Sequence, residues 1–115
     1  MNTLETRFGL TQQTIFDKET GRVWTRDFSR AGVLTMDKAR SYGARNGLRI
    51  PTQTDWQSLS EFRGYLLRPQ LKEIGFREIP NATWLGETDY NMLFLASSLI
   101  GKYDETSKTY VVFVK

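Results

Sequence analysis

The apolar positions change period along the chain: short β-prone runs come first, helical spacing follows in the middle, and β-prone runs return in the last third. In "TIFDKETGRVW" two such runs, Thr14 to Phe16 and Val23 to Thr25, flank a turn where Asp17 can accept from nearby amides and Gly21 can take positive φ. A hairpin is expected there. Its alternation is imperfect, because Arg22 and Arg26 share parity with Trp24. If Trp24 points inward, a bulge or the end of the strand has to turn at least one of these arginines out.

The next stretch, "LTMDKARSYGARNG", places Met36, Ala39 and Tyr42 or Gly43 at helical spacing. Thr35 serves as N-cap, Asp37 falls in the first turn, and Asn46-Gly47 supplies the stop. Gly43 within that helix costs about 1 kcal/mol relative to alanine. A close approach by another element explains it, and so does a tolerated defect. In "LRIPTQTDWQSL" the ring of Pro51 pushes Ile50 toward extended geometry, so the segment arrives as a strand-like arm. Thr52 then caps a second helix, with Asp55 reaching back in a short-armed capping box and Trp56, Leu59 and Phe62 forming its apolar face. A further helical turn carrying Leu71 and Ile74 runs through "RPQLKEIGF" and ends at Gly75, and "REIPN" is loop.

From there the character is β: "ATWLGETDY" opens with a short strand, "NMLFLASS" contains a largely buried one, "LIGKY" a shorter one, and "TYVVFVK" follows the polar turn "DETSK". The plan is α+β: an N-terminal hairpin, two main helices, then an antiparallel meander. No repeat, low-complexity tract or linker interrupts it, so residues 1–115 are read as a single domain.

Composition narrows the chemistry. The 115 residues contain no cysteine and no histidine, which removes thiolate and imidazole zinc ligands, Ser-His and Cys-His dyads and disulfides. Carboxylates such as Asp55, Glu61, Glu87 and Asp89 have no spacing that brings one acid and base pair together, so no enzyme activity, cofactor or metal is expected. "MNTLETRFGL" has no basic, apolar and small-residue succession, and no apolar run reaches spanning length; a cytoplasmic protein without membrane contact is expected. The net charge of +3 is uneven, with nine Lys/Arg against five Asp/Glu in residues 1–50 and seven against eight in 51–115. The basic excess lies between Arg22 and Arg49, where Arg40, Arg45 and Arg49 are candidates for an anion or nucleic-acid contact. Those arginines are spaced apart and mixed with Asp27 and Asp37, a pattern better suited to a solvated mixed-charge surface.

Four of these stretches, "TIFDKETGRVW", "LRIPTQTDWQSL", "TWLGETDY" and "TYVVFVK", occur in an order that resembles the Lcl C-terminal domain family. That pattern runs roughly T-V-x-D-x-x-T-G-L-x-W, W-R-L-P-T-x-x-E-L, W-S-S-T and Y-V-R-x-V-R. The resemblance implies a fold similar to the C-type lectin and formylglycine-generating-enzyme domains, with first and last strands adjacent, two helices beside a small sheet, and functional loops. It implies structural roles for Trp24, Arg49, Pro51, Thr52 and Trp84. The chain departs from the pattern at Leu48, at Trp56 and at Leu85-Gly86, and it lacks the cysteines of many relatives.

With catalysis set aside, recognition by loops is the leading expectation. "GETDYN" offers a glycine hinge at Gly86 with Glu87, Asp89 and Tyr90, and "GKYDETSK" offers Lys102, Tyr103, Asp104 and Glu105. Tyrosines with mixed charge suit a protein-binding rim. The expected function is therefore a non-catalytic protein-binding module, a small inhibitor or adaptor acting on a larger bacterial or phage machine. Nucleic-acid binding through residues 22–49 and small-ligand or carbohydrate binding are the alternatives.

Overall fold

The computed structural model describes residues 7–60, 66–87 and 89–115. Strands β1 (Phe8–Leu10), β2 (Thr14–Asp17) and β3 (Val23–Thr25) form an antiparallel sheet in that order, with Ile15 opposite Trp24. The expected hairpin is β2–β3, and β1 adds a third strand. Gly21 takes φ 77° in its turn, where a side chain would be strained. Neither Arg22 nor Arg26 is thrown out to solvent as the parity argument required. Arg22 Nε lies 2.7 Å from Asp55, while Arg26 donates to the carbonyls of Gly75 at 2.6 Å and Thr11 at 2.8 Å. A guanidinium can lie beside a core when its N–H groups meet acceptors.

Strand β4 (Leu34–Thr35) leads into helix α1 (Met36–Arg45). Thr35 Oγ1 accepts from the Lys38 amide, and the helix gives way at Asn46 to Gly47 at φ 69°. Gly43 is there for a close approach: a Cβ on it would stand 3.0 Å from the Leu48 carbonyl oxygen and 3.0 Å from the Phe113 ring. Helix α2 (Gln53–Gln57) is capped by Thr52 with the reciprocal Asp55 contact. It is one turn shorter than its apolar spacing suggests. Trp56 is buried on it and Leu59 in the turn beyond it, whereas Glu61 and Phe62 lie outside the described residues. Helix α3 (Arg68–Ile74) buries Leu71 and Ile74 and stops at Gly75, so the described residues contain a third helix beside the two main ones.

Strands β5 (Ala82–Trp84), β6 (Asn91–Phe94) and β7 (Ile100–Lys102) make the antiparallel meander. The final stretch does not extend it as a fourth ladder strand. Strand β8 (Lys108–Thr109) pairs with β4, Tyr110 bridges Thr83, and residues 111–115 pass between β3 and the arm at Arg49. Val114 pairs antiparallel with Trp24 on one side and Arg49 on the other. The first sheet and the final segment are thus neighbours.

That segment explains the core. Side chains of an extended chain alternate faces. Val112 and Val114 enter a cluster with Trp24, Phe28, Trp56 and Phe76, while Val111 and Phe113 enter one with Met36, Ala39, Ile50, Trp84 and Met92. In the first cluster the Trp24 and Trp56 rings are 4.9 Å apart and Phe28 lies parallel to Trp56 at 6.3 Å. Each large side chain buried there contributes about 1.5–3 kcal/mol. The radius of gyration, 13.3 Å, is that of a compact chain of this length. Among the described residues no helix is long and apolar enough to cross a membrane.

Candidate functional site

The arm at Leu48 to Leu59 is a joint built around a buried carboxylate. Asp55 is 2 % exposed. Arg49 engages it through both terminal nitrogens, Arg22 approaches from β3, and the Thr52 amide and hydroxyl donate at 2.9 and 3.0 Å. Burial acts to raise this carboxyl, but the Arg49 and Thr52 hydrogen bonds outweigh it and hold it at about 2, below the usual 3.8. Arg49 is correspondingly pushed up by its hydrogen bonds to Asp55. This arginine, half exposed, is committed to linking the arm to α2. Asp17 forms a second such centre. It is fully buried and accepts from Arg7, Thr20 and the Glu19 amide. Burial acts to raise its carboxyl, but the hydrogen bonds, those from Arg7 and Thr20 foremost, hold it below its ordinary range.

The two loops singled out in the sequence do come together, with a division of labour the sequence did not reveal. The Tyr103 amide donates to the Tyr90 carbonyl at 2.7 Å, continuing the β6–β7 ladder so that both loops leave the same end of the meander. Gly86 is a close approach rather than a hinge. Its amide donates to the Pro51 carbonyl at 2.8 Å, and a Cβ would fall 2.2 Å from the Ile50 oxygen. Glu87 turns inward: its carboxylate accepts from the Gln53 amide at the start of α2, and its carbonyl accepts from Arg40 at 2.9 Å. Tyr90 packs on the second core cluster while Asp89 is exposed. Thr88 lies outside the described residues.

On the second loop Lys102, Asp104 and Glu105 are exposed, and Tyr103 is 41 % exposed with its ring 6.2 Å from that of Phe94. Asp104 folds the loop back on itself by accepting from the amides and hydroxyls of Thr106 and Ser107. The bond from the Thr106 hydroxyl leads in lowering the Asp104 carboxyl. The turn is therefore preformed.

Of the basic candidates, Arg40 is held by Glu87 and, more loosely, by Asp37 at 3.8 Å; Arg49 is held by Asp55; Arg45 is exposed in the last turn of α1. These three do not converge on one surface cluster of unpaired cations. Among the described residues, no group of three or more potential metal-ligating side chains is gathered.

What sequence reasoning missed is the apolar edge at the β6–β7 turn, the end of the meander away from the two loops. Leu99 is 68 % and Ile100 41 % exposed, on an edge strand whose outer side has no neighbouring strand among the described residues. Phe94 and Tyr103 close over Gly101, whose Cβ would lie 2.8 and 2.9 Å from their rings. The signal was present in "SSLIGKY", where two apolar residues directly follow a turn, with Ser98 at φ 64°, in a position too short to be buried.

Comparison of the chain with protein-family models, with curated proteins and with solved structures returned no match.

Proposed function

We propose that this protein is a non-catalytic protein-binding module of C-type lectin-like build, allied to the Lcl C-terminal domains, that docks through the β6–β7 end of its meander. The fold part of this reading is supported by the pairing of β3 with the final segment around Trp24 and Val114 and by the joint at Arg49 to Asp55. The functional part is carried by one observation: the edge strand β7 runs from exposed Leu99 and Ile100 at the β6–β7 turn to exposed Lys102, Tyr103, Asp104 and Glu105 at its other end, where Asp89 also lies. Exposed apolar side chains along a strand edge that ends in a preformed turn carrying a tyrosine and mixed charge are the composition of a protein-recognition surface. A partner that presents an apolar anchor flanked by mixed charge would fit it. On this reading the module acts as an inhibitor or adaptor of a larger bacterial or phage assembly.

The test is affinity capture from an extract of the source cell, with and without nuclease, followed by mass spectrometry, using the native sequence and a Leu99→Asp/Tyr103→Ala variant. One stoichiometric protein that survives nuclease and is lost with the variant is the expected result. Capture that the variant leaves intact, or that collapses with nuclease, rejects this surface.

A further inference from the structure

A second, unrelated feature lies on the opposite side of the final segment. Strand β3, the C-terminal end of α1 and residues 111–115 diverge around a cleft of about 310 Å3. Its lining is largely apolar: the half-buried Tyr42 and Leu48 line it, and the Tyr42 ring is stacked on the buried Phe113 ring, with centroids 5.2 Å apart and planes 25° from parallel. Its rim carries two cations, Arg30 and Lys115, neither of which is ion-paired among the described residues. The acid at the rim, Asp27, is already turned to the amide and hydroxyl of Ser29 at 2.8 and 2.6 Å.

We infer that this cleft binds a small planar aromatic anion, its ring against Tyr42 and Leu48 and its acidic head toward Arg30 and Lys115. Three observations converge on that class. The volume is at the low end for ligand pockets and admits one or two rings rather than a polymer. The Tyr42 ring, held in place by its stack on Phe113, favours a flat body. The two cations exceed the one carboxylate in the lining, Asp27, which is hydrogen-bonded to Ser29 and feels the Arg30 charge, and the surplus favours a negative head. Gly43 contributes by letting Phe113 approach α1, since a Cβ there would press on the ring that backs Tyr42.

The experiment is an amide NMR titration of the whole chain with 2-naphthoate, with neutral 2-naphthamide as the control, repeated on an Arg30→Gln/Lys115→Gln variant. Both substituted side chains lie at the rim, so the fold is expected to persist, and the amide spectrum checks it directly. The expected result is saturable one-to-one binding, with the largest shifts at Tyr42, Leu48 and Phe113. The naphthoate should bind about tenfold more tightly than the naphthamide, the equivalent of roughly 1.4 kcal/mol for the charge contacts, and the variant should abolish that preference. Three results overturn the inference: no saturable shifts up to roughly 10 mM ligand, weaker than any useful affinity; equal binding of acid and amide; or shifts centred on Leu99 to Tyr103. The outcome is independent of protein capture through the β6–β7 surface, which the variant leaves untouched.

Discussion

Replacing Asp55 by asparagine tests whether the joint is an electrostatic lock. The substitution keeps the shape, removes the charge, and leaves Arg22 and Arg49 facing a neutral amide. The carboxyl stands at about 2 in the folded protein against 3.8 ordinarily, which corresponds to about 2.5 kcal/mol of stability at neutral pH. Complete loss of one partner from a buried pair costs about 3–5 kcal/mol. Here the cost is moderated because the Arg49 side chain is 50 % and the Arg22 side chain 28 % exposed, so both can recruit water. The expected loss is about 2–4 kcal/mol at pH 7, or a fall in Tm of about 10–15 °C for a domain of this size. Because the folded value lies below the unfolded one, the contribution is present above about pH 4 and disappears as pH falls through about 2. Urea denaturation of both proteins at pH 7, 5, 3 and 2 gives the gap at each step, and the titration of Asp17, common to both, cancels from the difference. A gap under about 0.5 kcal/mol at pH 7, or one that persists unchanged at pH 2, refutes the lock, since surface pairs contribute no more than that and neutralised carboxylates contribute nothing.

Three other substitutions probe the packing. Gly86→Ala puts a methyl 2.2 Å from the Ile50 carbonyl oxygen, where backbone cannot yield, and is expected to cost at least about 3 kcal/mol by thermal denaturation; a loss below about 1 kcal/mol would mean that the loop moves aside. Gly43→Ala gains about 1 kcal/mol of helix propensity but presses on Leu48 and Phe113 at 3.0 Å, so a net loss of about 1–2 kcal/mol is expected, and a stabilised variant would show that the contact is slack. Thr25→Val removes the hydroxyl that accepts from the Phe113 amide at 2.7 Å; urea denaturation should show a loss of about 1–2 kcal/mol for the stranded donor, and no loss would show that water replaces the contact.

Local signals in the sequence located the elements well where each had a short-range cause. The Thr35 cap, the Thr52–Asp55 box, the Gly21 turn and the stop at Gly75 all depend on residues within a few positions of one another. What escaped was long-range. The partners of Arg22 and Arg26 lie on α2 and after α3, so alternation within one strand could not tell an inward paired guanidinium from an exposed one. Gly86 and Glu87 looked like loop residues because their neighbours, Pro51 and Gln53, are more than thirty positions away. The candidate surface was half legible for the same reason: Tyr103 and Asp104 advertise a polar turn locally, whereas the exposure of Leu99 and Ile100 depends on β7 being an edge.

The final segment has a consequence for the order of assembly. Its contacts with β3 join positions as far apart as Val23 and Lys115, and one face of it completes each of the two apolar clusters. During synthesis from the amino end, Trp24 and Trp56 emerge long before the valines that cover them. The nascent chain must therefore hold two unfinished cores open until the last of these residues is delivered. Folding so dominated by distant closure is slow and cooperative, and the interval before closure is when a chaperone, or a binding partner, would find the most apolar surface to hold.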